Sequence, residues 1–257
     1  MGRHRMGGGG AMSAPPIALR DVTVAYDGRC AVEGISGRFE PGSLTAIVGP
    51  NGAGKSSLFN AITGAVRLTA GSVDCGGLAR RDIGYLSQAS AIDRSFPLSV
   101  ADTVLLGAYR RIGVLRGVGR TTRLRARAAL ATVGMDGLAA RPIGALSVGQ
   151  FQRVMFARLL LQDAPVILLD EPFAAVDAAT TAALLALVRQ WHDEGRTVVA
   201  VLHDLDQVRA YFPETLLLAR QTIGWGRTGA VLTTANLRRA SGAAAGWDAD
   251  VALAVAA

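Results

Sequence analysis

Lysine is almost absent from this chain: 26 of its 27 basic side chains are arginine, and the single lysine is Lys55. The only cysteines are Cys30 and Cys75, and without paired spacing they indicate neither a disulfide framework nor a zinc site. We therefore expect a reducing compartment. The longest apolar stretches, 197–202 and 166–169, are far shorter than the roughly 20 residues that span a bilayer. They are typical of buried parallel strands.

The charge balance is basic, with a formal net charge of +7. Arginines cluster between Arg110 and Arg127, but this stretch has little aromatic content beyond Tyr109 and offers few platforms on which bases can stack. We expect a solvated helical face there and no nucleic-acid partner. Attraction to an anionic inner leaflet is the second interpretation, at about 1 kcal/mol per basic group near the surface.

Both ends of the chain are weakly patterned. Residues 1–15 are basic and rich in glycine, which interrupts any apolar core of a signal peptide. They are expected to form a flexible leader, with Met6 and Met12 as alternative native starts. Residues 241–257 are rich in alanine without periodicity, and we expect a mobile or partner-dependent tail.

The single lysine lies in a glycine-rich phosphate-binding pattern, G-x-x-x-x-G-K-S, between an apolar strand at 44–48 and a helix beginning near 57. Glycines let successive backbone N–H groups curl around a phosphate. Lys55 is predicted to bridge the β- and γ-phosphates of ATP, and the hydroxyl of Ser56 to ligate Mg²⁺. The predicted nucleotide-binding residues here are Gly49, Pro50, Asn51, Gly52, Ala53, Gly54, Lys55, Ser56 and Ser57.

Two acids follow the apolar strand 166–169, at the strand end where open α/β sheets bind ligands. Asp170 fits the Mg²⁺-associated role called Walker B, and Glu171 is predicted to polarise the attacking water. A helix N-cap pair is the alternative for these carboxylates. His203 follows the strand 197–202 and is a candidate to bind the γ-phosphate and that water.

Strands and helices alternate along the chain, which predicts an α/β fold with a mostly parallel sheet. A β-like segment at 17–24, followed by a turn at Asp27 and Gly28, predicts an edge hairpin. Helical periodicity from Val100 to about Gln162 predicts a helical insertion. Short apolar runs at 216–218 and 230–232 are interpreted as the final strands.

The segment 146–153, Leu-Ser-Val-Gly-Gln-Phe-Gln-Arg, resembles the signature motif of ATP-binding-cassette (ABC) ATPases, and with the two motifs above the resemblance covers about 17–240. It implies a P-loop NTPase, RecA-like core at 16–95 and 163–240 with an N-terminal antiparallel β subdomain, and a helical signature subdomain at 96–162. In that family two cassettes pair head to tail. Ser147, Gly149 and Gln150 are then expected to contact the ATP of a second cassette.

The resemblance also assigns single residues. Tyr26 matches the aromatic side chain that stacks on adenine. Gln88 matches the loop glutamine that approaches Mg²⁺ and the reacting phosphate and links the cassette to its permease. The segment 174–177 resembles the dimer-contact loop.

One position departs from the family pattern, because Val148 stands where the signature usually has glycine. A β-branched residue is poorly tolerated where φ is positive. We therefore predict an ordinary backbone at Val148 and retained activity.

A single cassette without a membrane span resembles bacterial importer subunits, which act with a separate transmembrane permease and, indirectly, an extracytoplasmic substrate-binding protein. Such subunits lie at the cytoplasmic face of the membrane. The segments 92–107 and 231–237 are similar to those of manganese and zinc importer ATPases. An importer of iron complexes or cobalamin, an exporter cassette and a soluble ABC ATPase remain as alternatives.

Overall fold

The computed structural model of the protein describes residues 14–88, 93–112 and 117–243. The predicted leader up to residue 13, most of the predicted tail (244–257) and the short segments 89–92 and 113–116 lie outside the described residues. In the part that is described, no helix is both long enough and apolar enough to cross a membrane.

A six-stranded sheet forms the centre of the molecule. Its strands in chain order are β3 Leu44–Val48, β5 Gly84–Leu86, β6 Val166–Asp170, β7 Thr197–Val201, β8 Glu214–Ala219 and β9 Gln221–Arg227. Their spatial order is β5-β6-β7-β3-β8-β9, and every neighbouring pair is parallel except β8 and β9. This confirms the predicted α/β class with a mostly parallel sheet.

A second, antiparallel sheet is built near the N-terminus from β1 Ile17–Tyr26, β2 Arg29–Phe39 and β4 Ala70–Asp74, in the order β2-β1-β4. The hairpin of β1 and β2 confirms the turn predicted at Asp27 and Gly28, and both of these residues have positive φ. The third strand, β4, has no apolar alternation and was not predicted.

The helices are α1 Lys55–Thr63, α2 Val100–Leu105, α3 Tyr109–Ile112, α4 Arg120–Thr132, α5 Val148–Gln162, α6 Ala178–Asp193, α7 Leu205–Tyr211 and α8 Thr228–Val231. A further helical segment covers 234–243. The predicted helical insertion is thus divided into α2 to α5 with 3₁₀ turns between them, including Leu106–Ala108 and Ile143–Ala145.

Two details of the sequence interpretation are wrong. The strand predicted at 230–232 falls on α8 and the turn after it, and the last strand is β9 instead. The Thr228 hydroxyl donates a hydrogen bond to the backbone oxygen of Phe212 and lies 2.8 Å from the hydroxyl of Thr215. These contacts tie the start of α8 to β8. The predicted tail also begins too early, since 241–243 continue the helical segment.

Alternation along the central strands divides the core into two clusters, one on each face of the sheet. On one face, Ala46, Leu169 and Ala200 pack with the helices α5 and α6, where Phe156 stacks on Trp191 at 5.7 Å between ring centroids. On the other face, Ile47 belongs to a cluster with α1 and the N-terminal sheet. Because β3, β6 and β7 are parallel, their carboxyl ends meet at one edge.

Candidate nucleotide site at the sheet edge

The glycine-rich loop joins the end of β3 to α1 and lies directly against neighbouring backbone. Gly54 is the N-cap of α1 with φ of 88°, and a Cβ there would lie 2.3 Å from the oxygen of Ala31. A Cβ on Gly49 would lie 2.0 Å from the oxygen of Leu218. No other residue type fits either position, so the glycine spacing is required by packing as well as by conformation. The loop leads into a helix N-terminus, where backbone N–H groups attract anions.

Lys55 is the first residue of α1 and is buried, with 7% of its surface exposed. Its Nζ donates hydrogen bonds of 2.9 Å to the backbone oxygens of Gly49 and Pro50. Burial lowers the pKa of its ammonium group, and the nearby carboxylates of Glu171 and Asp170 oppose that shift. The single lysine is therefore held inside the loop that is predicted to bind phosphate.

Asp170 ends β6 and is only 2% exposed. Its Oδ2 lies 3.5 Å from the hydroxyl of Tyr85, while Oδ1 is buried without a hydrogen-bond partner among the described residues. Burial raises the pKa of this carboxyl group, the charge of Glu171 adds to the shift, and hydrogen bonding from Ser56 lowers it. An unpartnered buried carboxylate oxygen beside a serine hydroxyl suits Mg²⁺, which prefers hard oxygen ligands.

Glu171 lies at the centre of a three-residue cluster. Oε2 accepts a hydrogen bond of 2.8 Å from Nε2 of Gln88, and Oε1 lies 2.7 Å from Nε2 of His203. The residue has φ of 50°, a conformation that is uncommon for a side chain with Cβ. Its N–H donates to the oxygen of Val201 at 3.2 Å, which ties it to β7. Three predicted site residues that are far apart in the chain thus meet here.

An open cavity of about 790 Å³ lies beside Lys55 and Glu171. The glycine-rich loop forms one wall, the hairpin of β1 and β2 forms the other, and Glu171 closes one end. Tyr26 lies on the hairpin wall and is 43% exposed, which suits a side chain that stacks on a base. Of the predicted loop residues, Asn51, Gly52, Ala53, Gly54, Lys55, Ser56 and Ser57 line this cavity.

The signature segment lies elsewhere, at the start of α5. Ser147 is the N-cap: its hydroxyl accepts from the N–H of Gln150 at 3.2 Å, and Oε1 of Gln150 accepts from the N–H of Ser147 at 3.1 Å. Val148 is the first helical residue, is 41% exposed and is not among the positive-φ residues. The predicted ordinary backbone at Val148 is confirmed. Neither Ser147 nor Gly149 lines the nucleotide-sized cavity of its own chain.

The signature and the segment 174–177 lie side by side. A Cβ on Gly149 would be 3.9 Å from both Val176 and Oδ2 of Asp177. Asp177 is the N-cap of α6, and its Oδ1 accepts from the N–H of Thr180 at 2.9 Å. Behind them the amide of Gln152, which is buried, donates to the oxygen of Pro172 at 2.7 Å. The two predicted inter-cassette elements therefore belong to one surface.

Sequence reasoning missed several residues of the site. Arg29, Cys30 and Ala31 line the cavity, but nothing in the sequence places the start of β2 against the glycine-rich loop. Tyr85 lies on β5, and no pattern in the sequence indicates its contact with Asp170. Burial raises the pKa of its hydroxyl to about 12, so it remains a hydrogen-bond donor at physiological pH.

Known proteins with this arrangement agree with the geometry. A family model described as ABC transporter matches residues 32–174. The manganese transport system ATP-binding protein MntB of Bacillus subtilis (strain 168) is 42% identical over 231 residues, which cover 88% of this chain and 92% of that protein. The zinc transport system ATP-binding protein TroB of Treponema pallidum (strain Nichols) is 40% identical and covers 90% of this chain and 88% of that protein.

Solved structures confirm the P-loop NTPase fold. A protein assigned to the metal-chelate type of ABC transporter, in an inward-facing conformation, superposes with a TM-score of 0.77 at 28% identity, over 89% of this chain and 88% of that one. The family model spans more than half of the chain, and the relatives with 40% identity or more cover most of it. This chain therefore belongs to the ABC transporter family and carries its nucleotide-binding cassette.

Proposed function

We propose that this chain is the ATP-hydrolysing subunit of an ABC system that imports a divalent metal ion, manganese or zinc. The single observation that carries the hydrolytic part is the cluster around Glu171, whose two carboxylate oxygens are held by Gln88 and His203 at the end of the cavity that contains Lys55. A carboxylate fixed from both sides is suited to orient a water molecule.

The residues have distinct proposed roles. Backbone N–H groups of the loop 49–54 and the ammonium group of Lys55 bind the β- and γ-phosphates, and Tyr26 stacks on the adenine. Lys55 exchanges its hydrogen bonds with Gly49 and Pro50 for phosphate oxygens. Ser56 and Asp170 would hold Mg²⁺, with Gln88 near it, and the ion would neutralise charge on the phosphates.

Hydrolysis needs a water molecule in line with the γ-phosphate. Glu171 orients and polarises this water, and His203 contacts both the γ-phosphate and the water from the end of β7. The contact between His203 and Glu171, at 2.7 Å, holds the carboxylate in place until substrate enters. The strained φ of Glu171 is consistent with a side chain that is aimed by its backbone.

The site is proposed to be completed by a second copy of the chain. Ser147, Gly149 and Gln150 lie outside the cavity of their own chain, on an exposed helix start. The N-terminus of a helix binds anions through its backbone N–H groups and its partial positive charge. The γ-phosphate of an ATP molecule bound to a second copy is such an anion. Two chains that pair head to tail would bind two ATP molecules between them.

The transport role rests on the relatives. Proteins at 42% and 40% identity are named for manganese and zinc transport systems. The described part of this chain has no helix that could span a membrane, so the proposal includes a separate permease and a location at the cytoplasmic face of the membrane. A substrate-binding protein outside the membrane would deliver the ion to that permease.

The test is reconstitution. The chain is co-purified with its untagged membrane subunit, the complex is placed in vesicles, and ATP-dependent accumulation of ⁵⁴Mn²⁺ and ⁶⁵Zn²⁺ is measured. Metal uptake that requires ATP and stops with Glu171→Gln supports the proposal. Accumulation of an iron complex or cobalamin alone, movement of the ion in the opposite direction, or purification with ribosomes instead of a membrane protein would each contradict it.

A further inference from the structure

Arg94 joins the segment that follows Gln88 to the start of the signature helix. One of its terminal nitrogens donates to the backbone oxygen of Ile143 at 3.3 Å and to that of Leu146. Its guanidinium carbon lies 4.9 Å from the centre of the Phe151 ring. Leu146 directly precedes Ser147, and Phe151 lies four residues after it, so Arg94 contacts the chain on both sides of the signature.

Backbone hydrogen bonds hold the rest of this connection. The N–H of Ile143 donates to the oxygen of Leu98 at 3.0 Å, and the N–H of Val100 donates to the oxygen of Arg141 at 2.9 Å. Hydrogen bonds therefore tie the segment around 94–100 to 141–143. Arg94 extends this connection to the carbonyl group before Ser147, and its guanidinium group also lies over Phe151 in the first turn of α5.

A role in packing alone does not explain an arginine here. Its Nε is buried without a hydrogen-bond partner among the described residues, and no carboxylate of that part of the chain forms an ion pair with it. A buried unsatisfied donor costs stability. An apolar side chain would cover Phe151 without that cost. The guanidinium group contributes what an apolar side chain lacks, which is donors that bind the carbonyl groups leading into Ser147.

We propose that Arg94 is a positioning residue that fixes the direction in which Ser147 and the first turn of α5 leave the preceding 3₁₀ turn, and thereby sets the signature for the ATP of a second copy. This role rests on the proposed function, because it acts on the site shared between two chains. Arg94 touches no part of the nucleotide cavity of its own chain. It acts through the carbonyl group of Leu146 and the ring of Phe151.

We expect Arg94 to affect the ATP-dependent pairing of two chains but not the binding of nucleotide to a single chain. Nucleotide binding to a single chain depends on the glycine-rich loop and on Tyr26, which Arg94 does not contact. ATP-dependent pairing depends on the signature, which it does. Loss of the guanidinium group therefore changes pairing and turnover and leaves the affinity of the single chain for ATP unchanged. General damage to the fold would change all three.

The test uses the full-length chain in a Glu171→Gln background, which is expected to bind ATP without hydrolysing it. Arg94→Met keeps an unbranched side chain over Phe151, and Arg94→Lys keeps the charge without the planar fork. Arg125→Met is the matched control, since Arg125 is in the same helical region but pairs with Asp163 at 3.2 Å. ATP-dependent dimer formation is measured by sedimentation velocity, and ATP binding to the single chain by fluorescence titration.

We expect Arg94→Met to weaken ATP-dependent dimer formation at least about tenfold, with an ATP affinity of the single chain within about twofold of its parent. Dimer formation by Arg94→Lys should lie between that of Arg94→Met and that of the parent. Arg125→Met should match the parent. In the hydrolysing background, Arg94→Met should lower kcat.

Unchanged dimer formation in Arg94→Met overturns the proposal, and so does a parallel loss of ATP affinity and dimer formation in both Arg94 variants, which would indicate a structural role. Failure of the Glu171→Gln parent itself to pair with ATP is a different result. It overturns the shared site, and with it the role of Arg94.

Discussion

The sheet edge and the signature are built in opposite ways. At the edge, the loop before α1, the hairpin of β1 and β2, and Glu171 line a cavity of about 790 Å³. Lys55 in this lining and Asp170 at the end of β6 are both buried. At the start of α5, Ser147 is exposed and Gln150 half-buried, and the two residues hydrogen-bond each other. The sheet edge has a buried carboxylate oxygen, Oδ1 of Asp170, without a hydrogen-bond partner among the described residues, whereas Ser147 caps its own helix.

This difference agrees with the proposal that the sheet edge binds nucleotide within one chain and that the signature acts on a second copy. A buried lysine in the cavity lining and the nearby Oδ1 of Asp170, which has no partner among the described residues, suit a phosphate and its metal ion. An exposed helix start carries a partial positive charge that can attract an anion from outside the chain. Substitutions at the edge and at the signature can test the two regions separately.

The largest effect is expected from Glu171→Gln. The amide keeps the size of the side chain but cannot accept a proton from water, and general-base groups typically contribute about 10²–10⁴-fold to rate. We expect kcat to fall by at least about a hundredfold with ATP affinity unchanged, measured by phosphate release and by equilibrium binding. Robust turnover in this variant would remove Glu171 from its role.

A smaller but still strong effect is expected from Lys55→Arg. The change keeps the charge, but the planar guanidinium group is larger than the ammonium group, which is buried and bonded to Gly49 and Pro50. We expect ATP binding or turnover to fall by about tenfold or more. Arg20→Lys on the exposed face of β1 is the matched control. Full activity of Lys55→Arg would show that any cation serves at this position.

Asp170→Asn should separate stability from function. Because Asp170 is buried and its pKa is raised, the folded protein binds its proton more tightly than the unfolded chain does. Its ionisation therefore costs stability, and this cost grows as the pH rises through the pKa of the unfolded state toward that of the folded state. Without nucleotide or Mg²⁺, Asp170→Asn should raise the free energy of unfolding at neutral pH by about 1–3 kcal/mol, and the unfolding temperature should rise with it.

The same variant should lose the gain in ADP affinity that Mg²⁺ gives. Thermal unfolding with and without a chelator, and ADP titrations with and without Mg²⁺, measure the two effects. A less stable Asp170→Asn protein in the chelator at neutral pH would contradict the interpretation of Asp170 as a buried carboxylate whose ionisation costs stability.

The smallest effect is expected from Val148→Gly in the signature. Val148 has an ordinary helical backbone, so glycine relieves no strain and loses about 0.5 kcal/mol of helix propensity. We expect the ATPase rate to stay within about threefold of the parent, with slightly lower thermal stability. A tenfold or larger rise in rate would show that valine hinders contact with the γ-phosphate.

Local patterns predicted the central part of the fold and most of the edge. The strand before Gly49, the acids after 166–169 and the histidine after 197–202 carry enough local signal to place Lys55, Asp170, Glu171 and His203 at one edge. Parallel pairing then brings their carboxyl ends together. The family resemblance placed Gln88 at the site, and its contact with Glu171 agrees with that. No local pattern in the sequence indicates this contact.

What the sequence could not predict depends on contacts between distant segments. The strand β4, Ala70–Asp74, is mostly exposed and has little strand propensity of its own, so it exists through its pairing with β1. The strand β9 contains Gly224 and Gly226, which conceal its pairing with β8. Tyr85 and Arg94 acquire their partners only through tertiary packing, and an isolated arginine in a loop gives no such signal.

The shared site is tested most directly by mixing two inactive chains. Lys55→Ala removes the phosphate-binding lysine and keeps the signature, whereas Ser147→Arg blocks the signature and keeps the lysine. Each protein alone should be inactive. A mixed dimer contains one intact site, so hydrolysis should reappear on mixing, at roughly a quarter of the parent rate per chain for random pairing. Parent-like turnover by Ser147→Arg alone, or mixed dimers that form and stay inactive, would contradict a site built from two chains.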